Sequence, residues 1–365
     1  MPNSPQSYLT RRDALAVIGA SAAAAVLPRG AFAAPTFPKG AVIRTLLKDY
    51  APEELGGGAT LFHEHLSLGP DFVERFIAAA AATRAENDLP GAAAAAGSAA
   101  PAPQRRGPPP GPTRDLDAMV ADVQSARQAG VACIVDAGHP DMGRDIDFVR
   151  RVSMVSGMPI VACAGFYTQP YYPKSISTMS EDEIVQALLD QVEANPTGAL
   201  GEIGSWDYMT ADERKVFRAV GRAQAETNLA IFTHTGIPGK AALEQLDLLE
   251  DAGAKPERIC IGHLGNLVDP DVAVQRAICR RGAFIGFDRQ GGNNDARVVP
   301  MVMTMIEAGY ADHLLFSADA SSGYAKTLTV FLPKLKAAGA DDEVLHRITV
   351  DNPRRFLAFV PKKPR

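Results

Sequence analysis

Short apolar runs recur along the chain. Each is followed by a longer stretch in which alanine, charged and apolar residues mix at helical spacing. The runs are Thr60–Phe62, Ala132–Val135, Ile160–Cys163, Ala199–Ile203, Ala230–Thr233, Ile259–Ile261, Ala283–Phe287 and Leu314–Ser317. Strands that are apolar along nearly their whole length belong to a parallel sheet covered on its faces, and crossover helices supply the cover. Ser180 with Glu183 and Thr210 with Glu213 have the spacing of a capping box, which marks two helix starts within this alternation. Eight such units predict an α/β fold, a (β/α)8 TIM barrel occupying residues 34–365 as a single domain. The competing open doubly wound sheet would want a GxGxxG after an early strand, and none is present.

Two stretches stand outside this alternation. From Pro90 to Thr113 an alanine block gives way to Pro101-Ala102-Pro103 and then to Pro108–Pro110, Gly111 and Pro112. That density of proline and glycine predicts a solvent-exposed, disordered insertion in a loop, with too little apolar area to form an ordered lid. At the start, Arg11-Arg12 precede the mildly apolar run Leu15–Leu27, and Ala31-Phe32-Ala33 offers a small-x-small cleavage site. The pattern predicts a twin-arginine export signal over residues 1–33 and a periplasmic mature protein. The run is short and alanine-rich for a bilayer span, and no later segment is long and apolar enough, so no stable membrane insertion is expected.

Composition narrows the field further. Hydrophobic content of 46% and charged content of 22% are those of a globular domain. A formal net charge of −5 without basic clusters gives a nucleic acid nothing to bind, and a small molecule is the expected partner. Cys133, Cys163, Cys260 and Cys279 sit in or beside apolar runs without a CxxC, as small buried hydrophobes do.

The chemistry lies at the carboxyl ends of the runs, which converge on the mouth where active sites of this fold are built. The first run ends in His63-Glu64-His65, the fourth contains Glu202, the fifth ends at His234, the sixth at His263 and the eighth at Asp319. Alternate side chains of a strand share a face, so His63 and His65 project together while Glu64 points away. Two imidazoles on one face chelate one ion, with Asp319 completing its shell. His234 and His263 hold a second, and Glu202 bridges the pair. Nitrogen and oxygen donors without sulfur suit two zinc ions, with manganese, iron or cobalt as alternatives. Of the other histidines, His313 precedes the eighth run at the opposite end of the barrel, His346 falls in a late helical segment, and His139 leaves the second run at the active mouth. His313 is read as structural and His346 as exposed, and for His139 a structural role is favoured over contact with substrate or support of a ligand.

The motifs Phe-His63-Glu-His65-Leu, Thr-His234-Thr, Ile-Gly-His263-Leu-Gly, Ile-Gly-Phe-Asp288-Arg289, Ser317-Ala-Asp319 and Asp-Asn352-Pro-Arg-Arg-Phe together resemble the phosphotriesterase family of the amidohydrolase superfamily from about residue 41 onward. The resemblance implies a two-metal hydrolase that attacks a phosphotriester, lactone or related ester with a metal-bridging hydroxide, and relatives that are often homodimers. Many members bridge their metals with a carboxylated lysine. Glu202 stands there in this chain, as in the phosphotriesterase-homology branch. The segment after Asp319 is also shorter than the lid of the lactonase members. Tyr167 and Arg289 resemble the tyrosine and arginine that the lactonase branch places near the reacting centre, while Asp319 is the expected proton acceptor. Hydrolysis of an N-acyl amide by the same hydroxide is the alternative, and a metal-binding barrel without catalysis is the third, although no ligand position is broken.

Overall fold

A computed structural model describes residues 34–86, 112–236, 239–267, 269 and 271–362. The expected leader over 1–33, and residues 90–111 of the Pro/Ala/Gly insertion with the three before them, lie outside the described residues. Eight parallel strands follow one another around a nearly closed barrel: β1 (Ala59–Glu64), β2 (Val131–Asp136), β3 (Ile160–Ala164), β4 (Ala199–Ser205), β5 (Ala230–Thr235), β6 (Ile259–Ile261), β7 (Phe284–Phe287) and β8 (Leu314–Phe316). Their order in the sheet is their order in the chain. The seam between β8 and β1 is closed by single hydrogen bonds instead of a ladder. His63 N donates to Ser317 Oγ at 3.1 Å, Asp319 N to the His63 carbonyl at 3.2 Å, and His65 N to the Ala320 carbonyl at 2.9 Å.

The intervening helices are α1 (Phe72–Glu86), α2 (Leu116–Gln128), α3 (Ile146–Ser156), α4 (Glu181–Ala194), α5 (Ala211–Thr227), α6 (Ala242–Asp251), α7 (Ala273–Arg280) and α8 (Asp295–Glu307). Side chains that accept from orphan amides of the first turn fix several of their starts. Asp115 accepts from Ala118 N and Asp145 from Phe148 N, while Ser180/Glu183 and Thr210/Glu213 form the two reciprocal boxes expected from the sequence. Each such cap is worth about 1 kcal/mol. Because strand side chains alternate, the strands bury two layers. Phe62, Val161, Phe232 and Leu315, with Cys133, Cys163 and Cys260, fill the barrel interior, whereas Leu61, Ile134 and Ile160 pack outward with α2 and α3. All four cysteines are buried and free, and burial pushes the Cys133 thiol up to about 12.

Two features of the first crossover depart from the sequence expectation. Pro112–Arg114, partly within the stretch expected to be unstructured, closes into a 3-10 turn, to which the proline's fixed φ is suited. More consequentially, α1 is a full helix preceding the insertion, and it lies over the carboxyl ends of the strands. An ordered cover therefore exists, but it comes from residues 72–86 and not from the proline-rich segment. Among the described residues no helix is long and apolar enough to cross a membrane.

Candidate metal centre

All the ligand-type residues expected at the barrel mouth meet there. His63 and His65 leave β1 on its inner face. Glu64 faces the other way, where its buried carboxylate accepts from Ser317 Oγ, Ala318 N and Ala320 N at 2.8–2.9 Å. It stitches the β1–β8 seam and takes no part in the donor cluster. His263, Arg289 and Asp319, just beyond the ends of β6, β7 and β8, all have left-handed backbones, with φ of 61°, 63° and 48°. Such conformations cost roughly 1–3 kcal/mol in a non-glycine residue and persist only where the surroundings enforce them. Here they turn three side chains back toward the barrel axis. Gly262 lets β6 come close enough to β5 to do so, because a Cβ at that position would lie 2.0 Å from the Thr233 carbonyl.

Glu202 occupies the centre. Its Oε1 lies 2.7 Å from His234 Nδ1, 2.9 Å from His263 Nε2 and 3.4 Å from His63 Nε2, while Oε2 faces His65 Nε2 at 3.6 Å. Asp319 Oδ1 is 3.0 Å from His65 Nε2 and 3.6 Å from His63 Nε2. Among the described residues, His63, Glu202 and His263 form one group whose donor atoms lie within 4.8 Å of one another, and His63, His65 and Asp319 form a second. His234 Nδ1, 2.8 Å from His263 Nε2, adjoins the first.

The outer nitrogens are held so that the inner ones can ligate. Asp288, directly after β7, receives His63 Nδ1 at 3.1 Å on Oδ2 and His263 Nδ1 at 2.6 Å on Oδ1. One carboxylate thus directs the Nε2 lone pairs of two imidazoles inward, the usual service of an acid behind a metal-ligating histidine. His139 has the structural place expected of it, with Nε2 3.0 Å from the Glu202 carbonyl and Nδ1 2.6 Å from Asp141 Oδ1. The other oxygen of Asp141 accepts from Tyr167 N at 2.8 Å, so one pair anchors both β4 and the loop after β3. Gln245 of α6 holds the end of β5 by donating to the His234 carbonyl at 2.9 Å.

Electrostatics define what the cluster wants. Burial works against charge on Glu202, yet His63 and His234 hold its carboxyl well below the usual carboxylate range. Burial likewise opposes charge on His63, but Glu202 and Asp319 raise it well above the usual imidazole value. His234 goes the other way, lowered by burial to about 4. A buried knot of carboxylates and imidazoles that calls for positive charge at its centre fits divalent cations. Among the described residues the buried His63 Nε2 has acids near it but no well-formed hydrogen bond, as a metal-directed lone pair would.

The phosphotriesterase family model matches residues 50–357, nearly the whole barrel. The chain belongs to the phosphotriesterase family. An aryldialkylphosphatase of Saccharolobus solfataricus is 31% identical over 267 residues, covering 66% of this chain and 84% of that protein. An N-acetyltaurine hydrolase of Xenopus tropicalis is 23% identical over 347 residues, covering 87% of this chain and 98% of its own length. Among solved structures, a resiniferatoxin-binding protein from Rhodobacter sphaeroides superposes with a TM-score of 0.70 at 27% identity, covering 87% of this chain and 95% of that one. Membership in this family with hydrolase-named relatives makes the protein a hydrolase, and its His/Glu/Asp groups are compatible with divalent metal binding.

Within this family site, Tyr167 and Arg289 both reach the cluster. The Tyr167 hydroxyl lies 3.1 Å from His234 Nδ1, and burial pushes its ionisation well above the usual phenol range. Arg289 Nε donates to Asp319 Oδ2 at 2.7 Å, and Nη2 lies 3.2 Å from His263 Nε2. His313 and His346 stay away from the mouth. The first lies against the Ala283 carbonyl at 3.1 Å and the second, itself exposed, ends the helix Asp342–His346. The positions of Asp288 and Asp141 behind the histidines were not assigned from sequence. The one available signal for Asp288 was an acid directly after a barrel strand, the position already used to find Asp319.

Proposed function

We propose that this protein hydrolyses a carboxylic ester, lactone or phosphotriester bond at a centre of two divalent cations, with zinc the first candidate. His63, His65 and Asp319 would hold one ion and His234 and His263 the other, with Glu202 between them. The observation that carries this reading is the arrangement of Glu202, whose Oε1 faces His234 and His263 while Oε2 faces His65. Bound cations would supply a water acidified toward neutrality and Lewis acidity at the electrophilic oxygen.

The chain's own groups provide the rest. Asp319 has the most accessible carboxylate of the cluster, at 11% exposure, and Arg289 holds it ionised and oriented to accept a proton. Tyr167 keeps its proton and can donate to an oxygen of the substrate. Amide hydrolysis is the second reading, favoured by the N-acetyltaurine hydrolase relative that aligns with most of this chain. A panel of lactone, aryl ester, phosphotriester and N-acyl amino acid on metal-reconstituted protein separates the two, with the greatest kcat/KM expected on the ester and lactone arms. Stoichiometric metal without turnover on any arm would remove the hydrolytic reading of this site. The twin-arginine pattern further places the mature enzyme in the periplasm, a proposal that rests on sequence alone.

A further inference from the structure

The donor cluster has almost no contact with solvent. His63, Glu202, His234 and His263 are at most 2% exposed and His65 is 6% exposed. The element that lies over them is α1. The Phe72 ring lies 6.5 Å from His65 and 5.8 Å from Tyr167, and the Phe76 ring 6.0 Å from His234 and 5.5 Å from Trp206 (centroid distances). Phe72, Tyr167 and Tyr171, with the partly buried Phe76, belong to a small apolar cluster apart from the barrel core. Tyr171 Oη donates to the Phe72 carbonyl at 2.9 Å, and Arg75 donates to the Pro170 carbonyl at 3.2 Å with its guanidinium 4.3 Å from the Tyr171 ring. The outward face of α1 presents Val73 and Ile77, both about three-fifths exposed.

An enzyme whose reacting centre is covered by a helix admits substrate when that helix moves aside. What the substrate then meets is aromatic. We propose that α1 is the substrate-selecting wall of this active site. Phe72 and Phe76, with Trp206, form an apolar subsite for an acyl or alkyl group, and α1 lifts to admit it and closes over it. The buried indole N–H of Trp206 has no hydrogen-bond partner among the described residues, and it supplies a donor for an acceptor atom beside that apolar group. The substrate class is thus a neutral molecule with an apolar chain or ring next to the cleaved bond. This rests on the hydrolase reading above, in which such a group would be the acyl or alkyl part.

Trp206 is the chain's single tryptophan, so its emission reports on α1 directly. Acetate, butyrate, hexanoate and octanoate, as non-reacting product analogues, are titrated into metal-loaded protein while emission is followed. Hexanoate should bind at least about tenfold more tightly than acetate, since a buried methylene is worth up to about fourfold, and its binding should shift the emission. Phe76→Ala should flatten the chain-length dependence, and Phe76→Trp, which fills the subsite and is followed by calorimetry because it adds a second tryptophan, should weaken octanoate at least tenfold while sparing acetate. Val73→Ser on the outward face should leave both unchanged. A flat dependence in the wild type, or a slope that survives both Phe76 variants, overturns the wall. An intact slope in a protein inactive on every substrate class removes the hydrolase reading and leaves the subsite standing.

Discussion

Asp319 is pulled from two sides, Oδ1 by His65 at 3.0 Å and Oδ2 by Arg289 at 2.7 Å, and its backbone is left-handed. A side chain with a Cβ is strained in that conformation, and at Asp319 the two polar partners help to hold it there. Asp319→Asn keeps the shape and one ligating oxygen but removes the basic carboxylate. It should retain metal, measured by elemental analysis, and lose at least about 100-fold in kcat. Near-wild-type turnover would show that another group takes the proton. Asp288 makes a different prediction because it is not itself an expected ligand but holds the outer nitrogens of two of them. Asp288→Ala frees the outer nitrogens of His63 and His263 together, so metal affinity in a chelator competition should fall by about 10- to 100-fold. An unchanged competition curve would mean that packing alone orients the two rings.

At the scale of elements, α5 shows how a helix start supports the mouth. Glu213 completes its capping box by accepting from Thr210 N at 3.0 Å. It also accepts from Gln169 N at 3.2 Å, tying down the loop that carries Tyr167. Burial raises its carboxyl to about 7 against the lowering effect of those amides. A folded pKa above the unfolded one means that the native state binds the proton more tightly. The associated stability is therefore full below about pH 4.5 and is lost as pH rises through 7. Comparing wild type with Glu213→Gln by denaturant titration at pH 5 and pH 8 isolates this group. Between those pH values the wild type should lose up to about 3 kcal/mol relative to the variant. Parallel curves would place Glu213 ionised throughout. α1 belongs to the same scale. Its inner face is aromatic, its outer face is also partly apolar, and it carries no clean amphipathic stripe, so residues 72–86 offered little sequence signal of a helix laid across the barrel.

For the whole molecule, the described barrel and the sequence-only leader meet in one question, which is where the enzyme works. If residues 1–33 direct folded export, replacing Arg11 and Arg12 with lysine should leave the precursor in the cytoplasmic fraction while the unaltered chain reaches the periplasm. Equal partition of both would exclude the twin-arginine route for this chain.

The sequence by itself determined the repeating units and the chemistry offered at their ends. Apolar runs, helix caps and ligand-type residues are local patterns, and each repeats a short-range physical rule often enough to be read without coordinates. His63, His65, Glu202, His234, His263 and Asp319 were legible because barrel topology sends every strand's carboxyl end to one mouth. Only the tertiary structure decided what stands behind and above them. Asp288 meets His63 across 225 positions of chain, the His139–Asp141 pair joins β4 to the loop after β3, and α1 brings Phe72 and Phe76 against His65 and His234. Those relations are fixed by packing between elements distant in sequence and by left-handed backbones that the surroundings impose, and no local pattern of residues encodes either.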